Sequence, residues 1–116
     1  MKVNAKQLNR LLVDNFPELE GRYHDEVDWQ EGDNTGSHVV YGDVFSPYIE
    51  TLIVEKIYIE LEKVFAFIES IVELDDNYCN EVIIFSVLER LVADEKSLLI
   101  CKQYFGKRTK MLFDEL

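Results

Sequence analysis

Two cysteines, two histidines and one tryptophan are all that this 116-residue chain has of those residue types, and the scarcity removes several function classes. Cys79 and Cys101 belong to no CxxC unit. With two scattered histidines they lack the spacing of a zinc finger or ribbon, which needs three or four ligands. In a reducing compartment both are expected to be small unbridged core residues. No apolar run approaches a membrane span or a signal-peptide core, and the chain opens with Met-Lys-Val-Asn. The expectation is a cytoplasmic protein with no membrane partner. GxxxxGK, GxGxxG and GxSxG are all missing, so neither a phosphate-binding loop nor a nucleophile elbow is written in the sequence. No enzymatic activity and no cofactor are expected. Positive charge is scarce as well: 12 Lys and Arg face 23 Asp and Glu, a net charge of −11. Such a surface repels nucleic acid, because neutralising phosphates takes Lys and Arg. It draws a basic protein and speeds the encounter.

What the chain does contain is a globular balance, 47% hydrophobic and 30% charged, in a length that suits one domain over residues 1–116. The apolar residues recur at helical spacing nearly throughout. Asn4 is placed to cap a first helix with Leu8, Leu11, Leu12 and Phe16 inward. Pro17 suits the first turn of a second, carrying Leu19, Tyr23 and Val27, with Gly21 as a point where it breaks. Gln30 to His38 reads as a loop. A short helix is expected over Val40 to Phe45, capped by Ser37 or His38, and a new one from Ser46 with Pro47 first. Ile57, Leu61, Val64, Phe65, Ile68 and Val72 form the longest periodic face. After "LDDN", Asp75 or Asp76 opens a helix bearing Val82, Phe85, Leu88, Leu91 and Val92. Asp94 caps another with Leu98, Cys101, Tyr104 and Phe105, which Gly106 stops, and "KRTKMLFDEL" closes the chain. The aromatic stripe Phe65, Phe67, Phe85 and Phe105 is assigned to the core. The fold class is therefore all-α: a compact multi-helix bundle of about seven helices, joined by short connections like the antiparallel pairs of a HEAT-type stack.

Charge is unevenly placed. Asp14 to Asp33 holds eight acids against Arg22 alone, residues 51–95 hold eleven acids against three bases, and from Lys96 onward five bases face two acids. The densest stretch is "YHDEVDWQEGDNTGSH", Tyr23 to His38, with both histidines, the only tryptophan and five carboxylates. Glu20, His24 and Asp28 are four apart, so they share one helix face. That row is either a metal or proton-transfer group of a small metal-dependent enzyme or sensor, or a solvated face of mutually paired His and acid. A carboxylate-bridged metal centre in a bundle would draw ligands from several helices, and no second Glu-x-x-His is present. "DNTGSH" lacks the oxygen spacing of a calcium loop. Trp29, flanked by Asp28, Gln30 and Glu31, is either a core anchor at a helix end or an exposed aromatic aimed at Lys and Arg of a partner. Asp43 is either a charge near a helix start or part of the same acidic face. A helical module holding a peptide in an apolar groove is a further alternative.

The segments "LLVDNFPEL", "HVVYGDVFSPYIETL", "VIIFSVLERL" and "YFGKRTKML", spread from Leu11 to Leu112, resemble small all-helical bacterial immunity proteins of contact-dependent growth inhibition and other polymorphic-toxin systems. The resemblance implies a monomer that binds one cognate toxin domain as a 1:1 heterodimer and neutralises it. Many such toxins are nucleases with basic clefts, and a ribonuclease fits a partner as acidic as this one. On that reading Asp25, Glu26, Asp28, Glu31, Asp33 and Asp43 stand in for substrate phosphates and Trp29 is the apolar anchor. No catalytic motif accompanies the pattern, so no active site carries over.

Overall fold

The computed structural model describes residues 2–116. Among the described residues there are seven helices and no strands. We number them α1 (Ala5–Asn15), α2 (Glu20–Val27), α3 (residues 37–54), α4 (Tyr58–Val72), α5 (residues 77–92), α6 (Glu95–Lys102) and α7 (Lys107–Asp114). The radius of gyration is 13.3 Å, against about 13 Å for a compact chain of this length. No helix among the described residues is long and apolar enough to cross a membrane.

α1 begins in a reciprocal cap: the Asn4 side chain accepts from Gln7 N–H, and the Gln7 side chain accepts from Asn4 N–H. It ends because Phe16 precedes a proline and is forced out of helical dihedrals, to φ −129° and ψ 73°. The displaced Phe16 ring lies wholly buried, edge-on to Phe67 at 5.3 Å and beside Phe45 at 5.6 Å. Pro17–Leu19 forms a 3-10 turn that runs straight into α2. Gly21 does not break the helix.

α3 is one helix where two were expected. Its register widens over Tyr41–Phe45, where Ser46 N–H bonds back five residues to the Tyr41 carbonyl. This shift is how the helix passes Pro47, which has no N–H to offer. The Gly42 carbonyl loses Ser46 as donor to the widened register and finds none on Pro47. It receives the Arg90 guanidinium instead, at 2.6 Å. Ser46 is therefore no cap: it is buried, and its hydroxyl donates to the Ser86 carbonyl of α5.

α5, capped by Asp76 through Cys79 N–H, carries a second widened turn over Ile84–Leu88, with Glu89 N–H bonded to the Ile84 carbonyl. The extra residue alters which side chains of the turn itself face inward, while Leu88 and Leu91 stay buried as expected. Phe85 and Val92, expected inside, are about half exposed at 53% and 50%, while Ser86 and Val87 turn inward.

α4 is the central helix, burying Leu61, Val64, Phe65, Phe67, Ile68, Ile71 and Val72. It divides the aromatics: Phe67 joins Phe16 and Phe45, whereas Phe65 meets Phe105 at 5.3 Å, which in turn meets Phe113. Ile57, expected to start its apolar face, precedes the helix and is partly exposed. Left-handed residues bracket α4, Lys56 at φ 59° and Asp75 at φ 53°. Gly106 does not stop α6 in that manner. Its φ is −73°, and it opens α7 with Glu69 lying where a Cβ would be.

Candidate functional site

α2 and the turn that follows form an acidic edge. Tyr23 and Val27 anchor its inner face, both essentially without solvent exposure, and this points Asp25 and Asp28 outward. Trp29, one residue past the helix cap, is 75% exposed. It is not a core anchor. Glu31 is also exposed, and neither it nor Asp25 takes part in an ion pair within 4 Å among the described residues. Glu26 is half-buried and accepts from the Gln30 side chain at 2.8 Å.

The loop behind this edge is held rigid from α1. Asn9, fully buried, donates to the carbonyls of Asp33 and Thr35 at 3.0 and 2.7 Å, and accepts from Ser37 Oγ at 2.8 Å. Thr35 Oγ1 accepts Glu31 N–H, and Gly32 supplies the left-handed turn at φ 58°. Buried Tyr23 donates its hydroxyl to Asp33 Oδ1 at 2.6 Å, with Arg10 3.9 Å from the same oxygen. Burial first, and then the bond to Asp33, push the Tyr23 hydroxyl well above the ordinary tyrosine range. Asp33 is thus engaged inside the fold, unlike Asp25 and Glu31. Asp43 stands apart too: it lies on the widened turn of α3, 4.0 Å from Arg90.

The row Glu20, His24, Asp28 forms as its spacing predicts, but does not converge. His24 Nδ1 meets Asp28 at 3.1 Å while Nε2 meets Glu20 at 3.7 Å. The two carboxylates sit at opposite ends of the ring, leaving no shared vertex. Among the described residues no three His, Cys, Asp or Glu side chains are grouped to hold a metal ion. The hydrogen bond to Asp28 raises the His24 pKa above 6.5, against a smaller desolvation effect.

A second polar constellation, which periodicity did not single out, joins α3 to α5. His38 Nδ1 lies 3.3 Å from Ser86 Oγ, and Ser86 donates to the His38 carbonyl at 3.1 Å. Tyr78 accepts Ser37 N–H and packs edge-on to His38. One turn along, Arg90 holds the Gly42 carbonyl. A Cβ on Gly42 would stand 2.9 Å from Arg90 Nη2, so a larger residue would push the guanidinium aside. The paired spacings His38–Gly42 and Ser86–Arg90 were the available signal. Ser86 is buried and its hydroxyl donates to the His38 carbonyl, so the group clamps α3 to α5. The thiols of Cys79 and Cys101 are free, buried and pushed up to about 12, foremost by burial, and so remain neutral and unreactive.

Over residues 9–116, nearly its whole length, the chain matches the family described as a domain of unknown function, DUF7674, and it belongs to that family. No curated protein and no solved structure gives a match.

Proposed function

We propose that this family member is a binding protein of the immunity type, which neutralises a cognate toxin domain by laying its acidic edge into a basic, RNA-cleaving cleft. The observation that carries the reading is Trp29, 75% exposed between α2 and a loop whose Asp33 and Thr35 carbonyls are held by the buried Asn9 side chain. An aromatic side chain left in water beside an ordered loop is the kind of residue that dominates interface energetics. Asp25, Asp28 and Glu31 around it supply the charge that speeds approach of a cationic partner, and the ordered loop limits the entropy lost on docking. Glu26 lies at the border of the patch. Asp33 and Asp43 act chiefly by positioning, because Tyr23, Arg10 and Arg90 already engage them.

The test is to purify the product of the neighbouring reading frame and mix it with this protein. The expected result is a 1:1 complex in which RNA cleavage by the neighbour is lost. A neighbour that neither binds nor is inhibited contradicts the proposal.

A further inference from the structure

The row Glu20, His24, Asp28 does not converge on a metal position, yet it runs along the edge that the proposed partner meets. His24 is bracketed by carboxylates of its own helix, with Asp28 3.1 Å from Nδ1 and Glu20 3.7 Å from Nε2. Among the described residues no ion pair reaches the ring from α1, α3 or any other element, and Tyr23 packs edge-on to it at 5.5 Å. The side chain is 47% exposed, so the ring can turn away from Asp28 without disturbing the core. Asp28 directly precedes Trp29, which places the His24 bond on the carboxylate next to the proposed anchor.

Histidine is the side chain whose ordinary pKa falls between pH 5 and 8, whereas ordinary carboxylates stay ionised over that range. The chain's other histidine, His38, lies on α3 against Ser86 and Tyr78. His24 is thus the side chain through which mild acid changes the charge of the edge. Protonated, it is a cation beside Asp28, in the place that a partner's lysine or arginine would take. Neutral, it leaves both carboxylates uncompensated. We infer that His24 is a proton-operated gate on the acidic edge: a cationic partner docks on Asp28 in exchange for the His24 proton, so the complex is tight at mildly alkaline pH and weakens in mild acid. The inference rests on the edge being the docking surface. Its sign follows from competition. In the free protein the hydrogen bond to Asp28, then the charges of Asp28 and Glu20, hold the His24 pKa above 6.5. A partner cation on Asp28 removes that bond and adds like charge, which lowers it. Affinity is therefore full above the free-protein value and falls as pH drops through it, by about tenfold for each pKa unit separating free from bound protein.

The experiment is calorimetric titration of the neighbouring toxin domain into the wild type and into His24→Gln at pH 8 and pH 6, with the His24 ring followed by NMR in free and bound protein. Both proteins meet the same partner, so the partner's own titration cancels when their pH ratios are compared. The wild type should lose about three- to tenfold more affinity than His24→Gln between pH 8 and pH 6. The His24 pKa should be lower in the complex than in the free protein. Equal pH ratios for the two proteins, or a His24 that titrates at the same pH free and bound, would overturn the gate and leave the proposed function standing. Absence of a complex at both pH values would contradict the proposed function itself, and the gate would fall with it.

Discussion

The acidic edge around Trp29 and the clamp between α3 and α5 are equally rich in polar groups, yet they use them in opposite ways. In the clamp every interaction is spent inward. Ser46 on Ser86, Ser86 on His38 and Arg90 on Gly42 each satisfy a carbonyl within the fold. At the edge only the supporting layer is spent, with Asn9, Thr35 and Tyr23 bonding the loop from behind. Trp29, Asp25 and Glu31 are left over. Groups already bonded in the free protein hold the structure, and groups left without partners are what another molecule can meet.

Substitutions should separate the two regions. The largest effect is expected at Trp29: Trp29→Ala should weaken toxin binding by about 100-fold, while shifting unfolding free energy by less than about 0.5 kcal/mol. Arg90→Ala should do the reverse, costing about 1–3 kcal/mol by leaving the Gly42 carbonyl without a donor, as read from urea denaturation. Glu69 offers a pH-dependent version of the same inward use. Its burial alone would raise its pKa, but hydrogen bonds from Thr109 and Arg108 outweigh that and hold it below the ordinary glutamate value of 4.5. A carboxyl depressed on folding contributes fully above its unfolded pKa and loses that contribution as pH falls through the folded value. Amide protection factors over α7, taken against the intrinsic rate at each pH, should therefore fall below the ordinary glutamate range, and Glu69→Gln should flatten the dependence. Lys56→Gly should stabilise by about 0.5–1 kcal/mol, since the left-handed position costs a side chain strain that glycine avoids. The smallest effect is at the edge itself: His24 should titrate above 6.5 by NMR, and Asp28→Asn should return it toward that value.

The all-helical class, the helix count and the long apolar face of α4 were legible because apolar residues recur at helical spacing and the linkers are short. The continuity of α3 was not. Ser46-Pro47 reads as a helix start, and what lets the helix pass the proline is Arg90, 48 residues away. Phe85, inside the widened turn Ile84–Leu88, was misassigned to the core for a related reason, because the extra residue breaks the 3.6-residue spacing there, although Leu88 and Leu91 are buried as that spacing predicts. At the edge, composition marked the acids and Trp29. It could not separate Asp33 from them, since Tyr23 and Arg10 reach that carboxylate only once α1, α2 and the loop have come together.

The most direct measurement is stopped-flow association of the neighbouring toxin domain with the wild type and with the Asp28→Lys/Glu31→Lys variant, over a range of salt concentrations. Slower association and a weaker salt dependence, with melting temperature unchanged, are the predicted result. Equal association rates at every salt concentration would remove the acidic edge as the binding surface.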